Sequence, residues 1–343
     1  MKVHEAARLL GVTPRTLRFY EEKGLVAPQK EIENGYRSYS EEDLIALRWA
    51  ISLRELGIPI ARIYELIPLL SHKELFFKKM DGVRAQLYEE MISATEALRA
   101  FDDTLSAWRG SDRPELEQAE LAAHQMKQNR SLRSAWKDEW NYDGMAVQHG
   151  QNGPLVALSP YLTPQLYERA LRRTADWIDP SADEEGLDAG AGSGNLTVLL
   201  QQSGARITAV EQSGEMVSLL RERLPTADSR QGNLLALPVS DQSFDFIACT
   251  FALQHLTPSG QLLTLAEMDR ALRPGGRLVL TGWMTDSNSL AHSATFEGAA
   301  PLSSGGLTAS LLTELIEWLQ AKSYSVVVET IHDPIRLLFA AKP

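Results

Sequence analysis

The fold of the C-terminal half is decided by one stretch, Gly186-Leu187-Asp188-Ala189-Gly190-Ala191-Gly192-Ser193-Gly194-Asn195-Leu196-Thr197. A short apolar run followed by alternating glycines and then a helical pattern predicts a strand, a tight turn and a helix. Glycines at such a turn let the backbone approach a ligand closely. The same pattern also serves dinucleotides and ordinary tight turns, so the flanking sequence has to identify the ligand.

The chain around this loop alternates apolar runs with helical stretches, which predicts a doubly wound, Rossmann-like α/β sheet. The next strand pattern covers residues 206–210, and Glu211 follows it directly. A carboxylate at the end of that strand can accept hydrogen bonds from ribose hydroxyls. The sequence therefore predicts a site for a cofactor that contains adenosine.

Three further segments differ from the pattern of a dehydrogenase. They are Gly232-Asn233-Leu234-Leu235-Ala236-Leu237-Pro238, Ser243-Phe244-Asp245-Phe246-Ile247-Ala248-Cys249 and Leu272-Arg273-Pro274-Gly275-Gly276-Arg277-Leu278-Val279-Leu280. Together with the glycine loop they resemble the class I small-molecule methyltransferases over most of residues 140–343. Residues 325–330 and 335–340 suit the final antiparallel strand pair of that fold.

The resemblance implies S-adenosylmethionine as the cofactor. The loop at Gly190, Gly192 and Gly194 would let the backbone approach it, and Asp188 would accept a hydrogen bond from its methionine amino group. Glu211 would hold the ribose.

The resemblance also places the two remaining parts of the cofactor. Asn233 and the Leu234 backbone would meet the adenine edge, and Thr250 with its neighbours would line the methionyl arm. The family usually has Asp where this chain has Asn233, but an Asn carbonyl can still accept from the adenine amino group. Retention of the fold without a cofactor is the alternative.

Methyl transfer requires alignment and exclusion of water, and a base only when the acceptor must lose a proton. His255 lies where related enzymes place a residue on the acceptor side, so it is either that base or a hydrogen-bonded structural histidine. Trp140, Tyr142 and Tyr161 precede the first strand, where they form either an acceptor lid or part of the core. The sequence has no metal-ligand spacing, and Cys249 lies inside a strand run.

Residues 3–23 have the pattern of a helix-turn-helix. Thr13 can cap the second helix and Pro14 suits its first turn, so Arg15 and Arg18 lie early on a helix that can enter a major groove. Asn34-Gly35 predicts a hairpin turn, and the hairpin forms a wing beside that helix. A capping box at residues 40–43 predicts a helix to Leu53, and another is predicted from Ile60 to Leu70.

Three motifs in this region resemble the mercury-resistance-regulator (MerR) family of transcriptional regulators. They are Thr16-Leu17-Arg18-Phe19-Tyr20-Glu21-Glu22-Lys23-Gly24-Leu25, Asn34-Gly35-Tyr36-Arg37-Ser38-Tyr39 and Leu53-Arg54-Glu55-Leu56-Gly57. The resemblance implies that Arg15 and Arg18 approach DNA from the recognition helix, that Tyr20 supports phosphate contact, and that Arg37 and Tyr39 grip the backbone from the wing. The alternative is that the tyrosines pack a small core and the arginines are solvated.

An apolar stripe follows at spacings of three and four residues. Its members are Phe76, Met80, Val83, Leu87, Met91, Ala94, Leu98, Phe101, Leu105 and Trp108. The stripe predicts a coiled-coil helix. By resemblance to MerR-like regulators it forms a homodimer, which would bind a palindromic operator. The alternative is that the stripe packs against the chain's own second domain.

The composition fits this division of the chain. Its 343 residues carry a net charge of −11, but the N-terminal segment is rich in basic residues: Arg8, Arg15, Arg18, Lys23, Lys30 and Arg37. The expected domains are a winged helix-turn-helix at 1–70, a dimerisation helix at 71–109, a connector at 110–137 and a methyltransferase domain at 138–343. No apolar run reaches the ~18 residues that span a membrane, and a single cysteine cannot form an internal disulfide. A cytoplasmic location is expected.

Taken together, the sequence predicts a multi-domain, dimeric transcriptional regulator that binds promoter DNA. Its second domain is expected to be an S-adenosylmethionine-dependent methyltransferase that methylates or senses a small metabolite. The alternative is a domain that binds a ligand for the regulator and transfers nothing.

Overall fold

The computed structural model of the chain describes residues 1–30, 35–109, 116–135, 141–159, 162–286 and 309–343. Asn34, Trp140 and Tyr161, which figured in the sequence predictions, lie outside the described residues. The chain separates into two compact units, Met1–Arg84 and Ala85–Pro343. In the described part of the chain, no helix combines the length and apolar character that a membrane crossing requires.

The first unit is a small helical bundle with a two-stranded hairpin. Its elements are α1 (Val3–Leu9), α2 (Pro14–Glu22), β1 (Gln29–Lys30), β2 (Arg37–Ser38), α3 (Glu41–Glu55), α4 (Ile60–Leu66) and a 3₁₀ turn at Ile67–Leu69. The two short strands are antiparallel, with Lys30 opposite Arg37. The predicted helix-turn-helix and the two strands of the wing are confirmed.

The helix starts follow from their capping residues. The Thr13 hydroxyl accepts a hydrogen bond from the Thr16 amide at 3.1 Å, and Pro14 is the first residue of α2. At α3, Ser40 Oγ accepts from the Asp43 amide at 3.0 Å, while Asp43 Oδ2 accepts from the Ser40 amide at 2.9 Å. This reciprocal capping box satisfies amides that the first turn leaves without helical partners.

A single long helix, α5 (Lys73–Arg109), runs from the first unit into the second. Phe76 and Val83 are buried in the core of the first unit. From Leu87 onward Ile92 is buried, but several members of the predicted stripe are exposed, with Leu98 at 64% and Phe101 at 61%. The segment predicted as a connector is mostly helical, because α6 covers Leu116–Ala135.

The second unit continues with an α/β domain. Its elements are α7 (Tyr142–His149), α8 (Gly153–Leu158), α9 (Pro164–Ile178), β3 (Glu185–Ala189), α10 (Asn195–Gln201), β4 (Arg206–Glu211), α11 (Gly214–Arg223), β5 (Asp228–Gln231), β6 (Phe244–Thr250), α12 (Pro258–Ala271), β7 (Leu272–Thr285), β8 (Ser310–Leu311), α13 (Leu312–Ala321), β9 (Ser325–His332) and β10 (Ile335–Ala341).

The sheet of this domain has the strand order β5-β4-β3-β6-β7-β10-β9, and β8 pairs with the end of β7. Strands β3 to β7 are parallel, whereas β10 is antiparallel to both β7 and β9. The predicted doubly wound sheet and its final antiparallel pair are confirmed. The strand order changes direction between β3 and β6, and open α/β sheets bind ligands at the carboxyl ends of the strands beside that switch point.

Apolar side chains fill both faces of the sheet. One core includes Leu187, Ile247 and Leu280, and the other includes Ile207, Phe246 and Val279. Neighbouring residues of each strand thus enter opposite cores, as expected for a sheet covered on both faces. The buried strands fix the positions at which β3, β4 and β6 end.

Candidate functional site

A cavity of about 310 Å³ lies at the carboxyl ends of β3, β4 and β6. Eight residues predicted from the sequence line it: Asp188, Gly190, Gly192, Glu211, Asn233, Leu234, Thr250 and His255. Gly194 lies behind the loop, where an added Cβ would come within 2.5 Å of Leu220 Cδ2. That glycine permits close packing of α10 on α11.

Asp188 is the most buried carboxyl group of the site, with 1% of its surface exposed. Its Oδ2 accepts a hydrogen bond from the Thr197 hydroxyl at 2.6 Å. Burial raises the pKa of Asp188 to about 7, the negative charge of Glu211 adds to the rise, and the hydrogen bond from Thr197 opposes it. A cationic group bound beside Asp188 would stabilise the carboxylate and lower that pKa.

Glu211 ends β4, and backbone amides orient its carboxylate. Oε2 accepts from the Gly192 amide at 2.9 Å, and Oε1 accepts from the Gln212 and Ser213 amides at 2.8 Å each. These bonds tie the glycine loop to the loop after β4. The carboxylate is therefore held in place before any ligand binds.

The glycine loop has the backbone conformation that its sequence predicts. Gly190 and Gly192 have φ values of +79° and +55°, which favour glycine. A Cβ at Gly190 would lie 2.5 Å from Ala252 Cβ. A larger residue there would push the end of β3 away from the segment after β6 and change the shape of the cavity.

Asn233 is engaged within its own loop. Its Oδ1 accepts from the Leu235 amide at 2.9 Å, which forms a local turn. The carbonyl oxygen has a second lone pair for an adenine amino group. The Leu235 carbonyl accepts from Arg133 Nε of α6 at 3.0 Å, and Leu132 of the same helix lines the cavity.

The end of β6 contributes an unsatisfied hydroxyl. Thr250 Oγ1 is buried in the cavity wall and has no hydrogen-bond partner in the described structure. Phe251 follows with φ +54°, a left-handed conformation that is uncommon for an aromatic residue. Phe251 stacks on Tyr167 with ring centroids 5.7 Å apart. A buried polar atom beside a strained residue is a frequent feature of ligand sites.

The helices before the sheet close the cavity from one side. On α7, Asp143 Oδ1 accepts from the Ser213 hydroxyl at 2.6 Å, which anchors this helix to the loop after Glu211. Pro154 and Leu158 of α8 line the cavity. Ser193 of the glycine loop donates to the Gln151 carbonyl at 2.8 Å. This segment therefore contacts both loops that flank Glu211.

His255 and Tyr142 line the cavity and contact each other. Tyr142 Oη lies 3.0 Å from His255 Nε2, and the two rings are almost perpendicular. Burial lowers the pKa of His255 to about 4, while a backbone hydrogen bond with Phe251 acts in the opposite direction. The imidazole is therefore neutral at pH 7. Cys249 lies nearby inside β6, where burial raises the pKa of its thiol.

The described wall of the cavity is mostly apolar and contains no Lys or Arg. Its two carboxyl groups, Asp188 and Glu211, belong to the cofactor positions predicted from the sequence. Among the described residues there is also no cluster of three or more His, Cys, Asp or Glu side chains suited to a metal ion. The described wall therefore has no fixed cation for a phosphate or carboxylate.

In the first unit, Arg15 and Arg18 are exposed on α2. Arg37 is half-buried and forms an ion pair with Glu21. Tyr20 and Tyr39 lie in the core of the unit. Burial raises the pKa of both tyrosines. The two exposed arginines are therefore the predicted DNA contacts that are most accessible in this unit.

Sequence reasoning missed several contributors to the cavity. The sequence predicts Tyr142 only as a lid or core aromatic, and it does not distinguish Tyr167 or Leu132. All three belong to helices before the sheet, where no motif marks the residues that face a ligand. At the start of α7 the sequence does offer a helix-capping residue, Asn141, directly before Tyr142.

Comparison with known families agrees with this architecture. Residues 1–70 match the family described as MerR HTH family regulatory protein, and residues 187–280 match the family described as methyltransferase domain. The chain thus joins a MerR-type helix-turn-helix to a methyltransferase domain.

Individual relatives match one half of the chain or the other. An uncharacterized methyltransferase of Mycobacterium tuberculosis is 36% identical over 115 residues, which are 34% of this chain and 46% of that protein. The heavy metal-dependent transcription regulator 2 of Rhizobium meliloti is 29% identical over 119 residues, which are 34% of this chain and 81% of that protein. The chain spans about half the length of the curated methyltransferases it matches.

One solved structure to which the chain is similar is a SAM dependent methyltransferase from Aquifex aeolicus. The superposition has a TM-score of 0.42 at 17% identity, and it covers 53% of this chain and 94% of that one.

Proposed function

We propose that this protein is a dimeric DNA-binding transcriptional regulator whose second domain uses S-adenosylmethionine to methylate a small molecule. The observation that carries the enzymatic part is the convergence of Asp188, Glu211, Asn233 and Thr250 on one cavity. These four residues come from separate elements, and they provide polar groups for each part of the cofactor. When bound, S-adenosylmethionine supplies an electrophilic methyl group carried by a sulfonium.

The chemistry of the cavity fits this cofactor. The buried Asp188 carboxyl group suits an ammonium group, because an opposite charge would offset its desolvation. The oriented Glu211 carboxylate suits two ribose hydroxyls. The unsatisfied Thr250 hydroxyl offers a hydrogen bond to the methionyl arm. Gly190 and Gly192 let the backbone approach the cofactor between these groups.

The regulatory part is supported by the first unit and by α5. Arg15 and Arg18 on α2 suit a recognition helix in the major groove, with the β1–β2 hairpin as the wing. Contact of Tyr20, Arg37 and Tyr39 with the DNA backbone is part of the same proposal.

Dimerisation is proposed through the exposed stripe of α5. Large side chains such as Leu98 and Phe101 remain exposed, and the described part of the chain does not cover them. An apolar stripe of this length favours a second copy of the same helix. A dimer would present two recognition helices to a palindromic operator.

A second candidate, ligand sensing by the regulator, is favoured by Arg133. This side chain donates to the Leu235 carbonyl in the wall of the cavity and also pairs with Glu96 on α5. Binding at the adenine position would therefore act on the helix that continues into the first unit. Sensing and methylation are compatible, since a bound cofactor can serve both.

The decisive experiment is calorimetric titration of the full chain with S-adenosylmethionine, followed by incubation of labelled cofactor with a metabolite extract. The proposal expects binding and conversion to S-adenosylhomocysteine. Gly190→Ala and Glu211→Ala should lose affinity, and Gly275→Ala, at an exposed position of β7 outside the cavity, should not. Binding without conversion would support the sensor function and not the methyltransferase activity. Absence of binding would reject S-adenosylmethionine as the cofactor.

A further inference from the structure

The Asn233–Ala236 turn forms the part of the cavity wall that the proposed cofactor site assigns to adenine. The Ala236 amide donates to the Asn233 carbonyl at 3.1 Å, which closes a four-residue turn. Inside the turn, the Leu235 amide donates to Asn233 Oδ1 at 2.9 Å. This second bond fixes the orientation of the Asn233 side chain, because only its oxygen can accept from an N–H group.

The segment that follows the turn is held by the α/β domain itself. The Leu237 amide donates to Glu267 Oε2 of α12 at 3.0 Å. Arg270 of the same helix donates to the Leu237 carbonyl at 3.1 Å and to the Val239 carbonyl at 2.9 Å. These two side chains of α12 hold the chain from Leu237 onward.

The turn is anchored from outside the sheet, by Arg133 of α6. Arg133 Nε donates to the Leu235 carbonyl at 3.0 Å, and the Arg133 side chain is only 2% exposed. Leu132, the preceding residue, lines the cavity. Helix α6, which the sequence predicts to be part of a connector, thus contributes one residue to the cavity wall and one anchor for its turn.

Two residues of α5 fix the direction in which Arg133 donates. Glu96 accepts from both terminal nitrogens, at 2.7 and 3.0 Å, and Ser93 Oγ lies 3.4 Å from Nη1. The guanidinium is planar, so fixing its outer edge also fixes the direction of the Nε–H bond. A lysine would keep the charge pair with Glu96, but it has no planar fork that could hold the carbonyl in the same direction.

Loss of this anchor would act on the turn. The Leu235 carbonyl would become a buried acceptor without its donor, which is costly, so its peptide group would rotate toward another partner. The Leu235 carbonyl and the Ala236 amide belong to one planar peptide group. The same rotation would therefore break the bond that closes the turn, and Asn233 would lose its fixed orientation.

We infer that Arg133 is the positioning residue that lets this site distinguish adenine from other bases, because it holds the turn from which Asn233 Oδ1 accepts from the adenine amino group. The inference rests on the proposed binding of S-adenosylmethionine and names a residue outside the α/β sheet on which base recognition depends. Arg133 is not among the described residues that line the cavity, so it acts through the turn.

Two probes measure base recognition directly. S-Adenosylhomocysteine and S-inosylhomocysteine share the ribose and the amino-acid arm, but the inosyl probe has a carbonyl oxygen where adenine has its amino group. Two acceptor oxygens would then face each other at Asn233. In calorimetric titration, the wild-type full chain should bind the adenosyl probe about ten- to a hundredfold more tightly than the inosyl probe.

Arg133→Lys should move this ratio of affinities toward one, mainly by weakening the binding of the adenosyl probe. Glu96→Gln keeps the arginine but loosens its hold, so its ratio should lie between those of the wild type and Arg133→Lys. Arg130→Lys changes an exposed arginine of the same helix and should match the wild type. Circular dichroism checks folding, and if Arg133→Lys is unfolded, Glu96→Gln decides the question alone.

The other outcomes separate this inference from the function on which it rests. Equal losses for both probes in the variants would show a purely structural role for Arg133 and would overturn the inference, as would an unchanged ratio. A wild type that binds both probes equally would also overturn it and would leave the cofactor assignment standing. Absence of binding of either probe to the wild type would reject the proposed function itself.

Discussion

Arg133 and Glu96 form a bidentate ion pair between α6 and α5, with Nη2 2.7 Å from Oε1 and Nη1 3.0 Å from Oε2. The Arg133 side chain is 2% exposed, so water cannot replace its partners. Its Nε donates to the Leu235 carbonyl, and the Leu235 amide donates to Asn233 Oδ1. A continuous set of hydrogen bonds therefore joins the wall of the cavity to the long helix.

Glu96→Gln tests whether this set of hydrogen bonds couples ligand binding in the cavity to DNA binding. The substitution leaves a buried guanidinium without its counter-charge, so we expect a loss of about 1–3 kcal/mol in the free energy of unfolding. Linkage requires that operator DNA and S-adenosylmethionine change each other's affinity by one common factor, and this factor should move toward one in the variant. Urea unfolding and calorimetry with and without operator measure both.

The matched control for this test is Glu90→Gln. Glu90 is exposed on the same helix and accepts a hydrogen bond from Gln86 Nε2 at 3.0 Å, so loss of its charge should change neither quantity. If Glu96→Gln keeps the wild-type coupling factor, Arg133 does not transmit binding to the helix.

Asp188→Asn should change how stability depends on pH. The pKa of Asp188 is raised to about 7 in the folded protein, so folding favours the protonated carboxyl group. Between about pH 4 and pH 7 the unfolded chain ionises this group and the folded protein does not, so the free energy of unfolding falls as the pH rises through that range. Relative to the wild type, the Asn variant should gain up to about 1.4 kcal/mol per pH unit in that window. Thermal unfolding from pH 5 to 8 without ligand measures the difference, and a constant difference would contradict it.

The same carboxyl group should make cofactor affinity depend on pH. An ammonium ligand needs the carboxylate, so the wild-type affinity for S-adenosylmethionine should fall below about pH 7 as Asp188 becomes protonated. Asp188→Asn should bind weakly at every pH. Thr285→Val, a buried polar position outside the cavity, is a suitable control for the loss of one polar group.

Arg15→Ala and Arg37→Ala should affect DNA binding in different ways. Arg15 is exposed on α2, so its loss should reduce the preference for operator over unrelated DNA, by about 1–3 kcal/mol if it reads a base. Loss of Arg37 should weaken binding to all sequences and lower the salt slope by about one. Arg99→Ala, on α5 outside residues 1–70, should leave mobility-shift titrations unchanged. Wild-type behaviour in both test variants would reject the proposed interface.

The double variant Leu98→Glu, Phe101→Glu should separate the dimer. These exposed side chains lie one turn apart on α5, and four added carboxylates per dimer would repel each other across an apolar contact. Sedimentation velocity should show a dimer for the wild type and a monomer for the variant. Leu121→Glu, which changes an equally exposed leucine of α6, should stay dimeric. If the wild type is a monomer, the proposed dimer is wrong and a palindromic operator is no longer expected.

Much of this fold could be predicted because its signals are local. Thr13 and Ser40 cap the helices that follow them, and the glycine loop sets the end of β3 within a few residues. Glu211 could be placed for the same reason, since a carboxylate directly after a buried strand must lie at the carboxyl edge of the sheet. The convergence of these residues then follows from parallel strand order alone.

The partners made by distant residues could not be predicted. Arg133 is 102 positions from the carbonyl that it contacts, and Tyr142 is 113 positions from His255. A contact between residues so far apart in the chain leaves no periodic pattern in the sequence. Tyr39 shows how a motif can leave two roles open, because its sequence context allows contact with the DNA backbone or packing in a small core. The structure places its ring in the core of the first unit, and the DNA contact stays a prediction.

Cys249 lies on β6, the strand between β3 and β7, and it is the only cysteine of the chain. In the folded state a thiol reagent has nothing to react with, because the sulfur is buried and its ionisation is suppressed. Labelling can occur only when the central strand opens, and its rate then reports the free energy of that opening. The labelling rate of Cys249 thus measures opening of the central sheet, and no additional cysteine has to be introduced for this measurement.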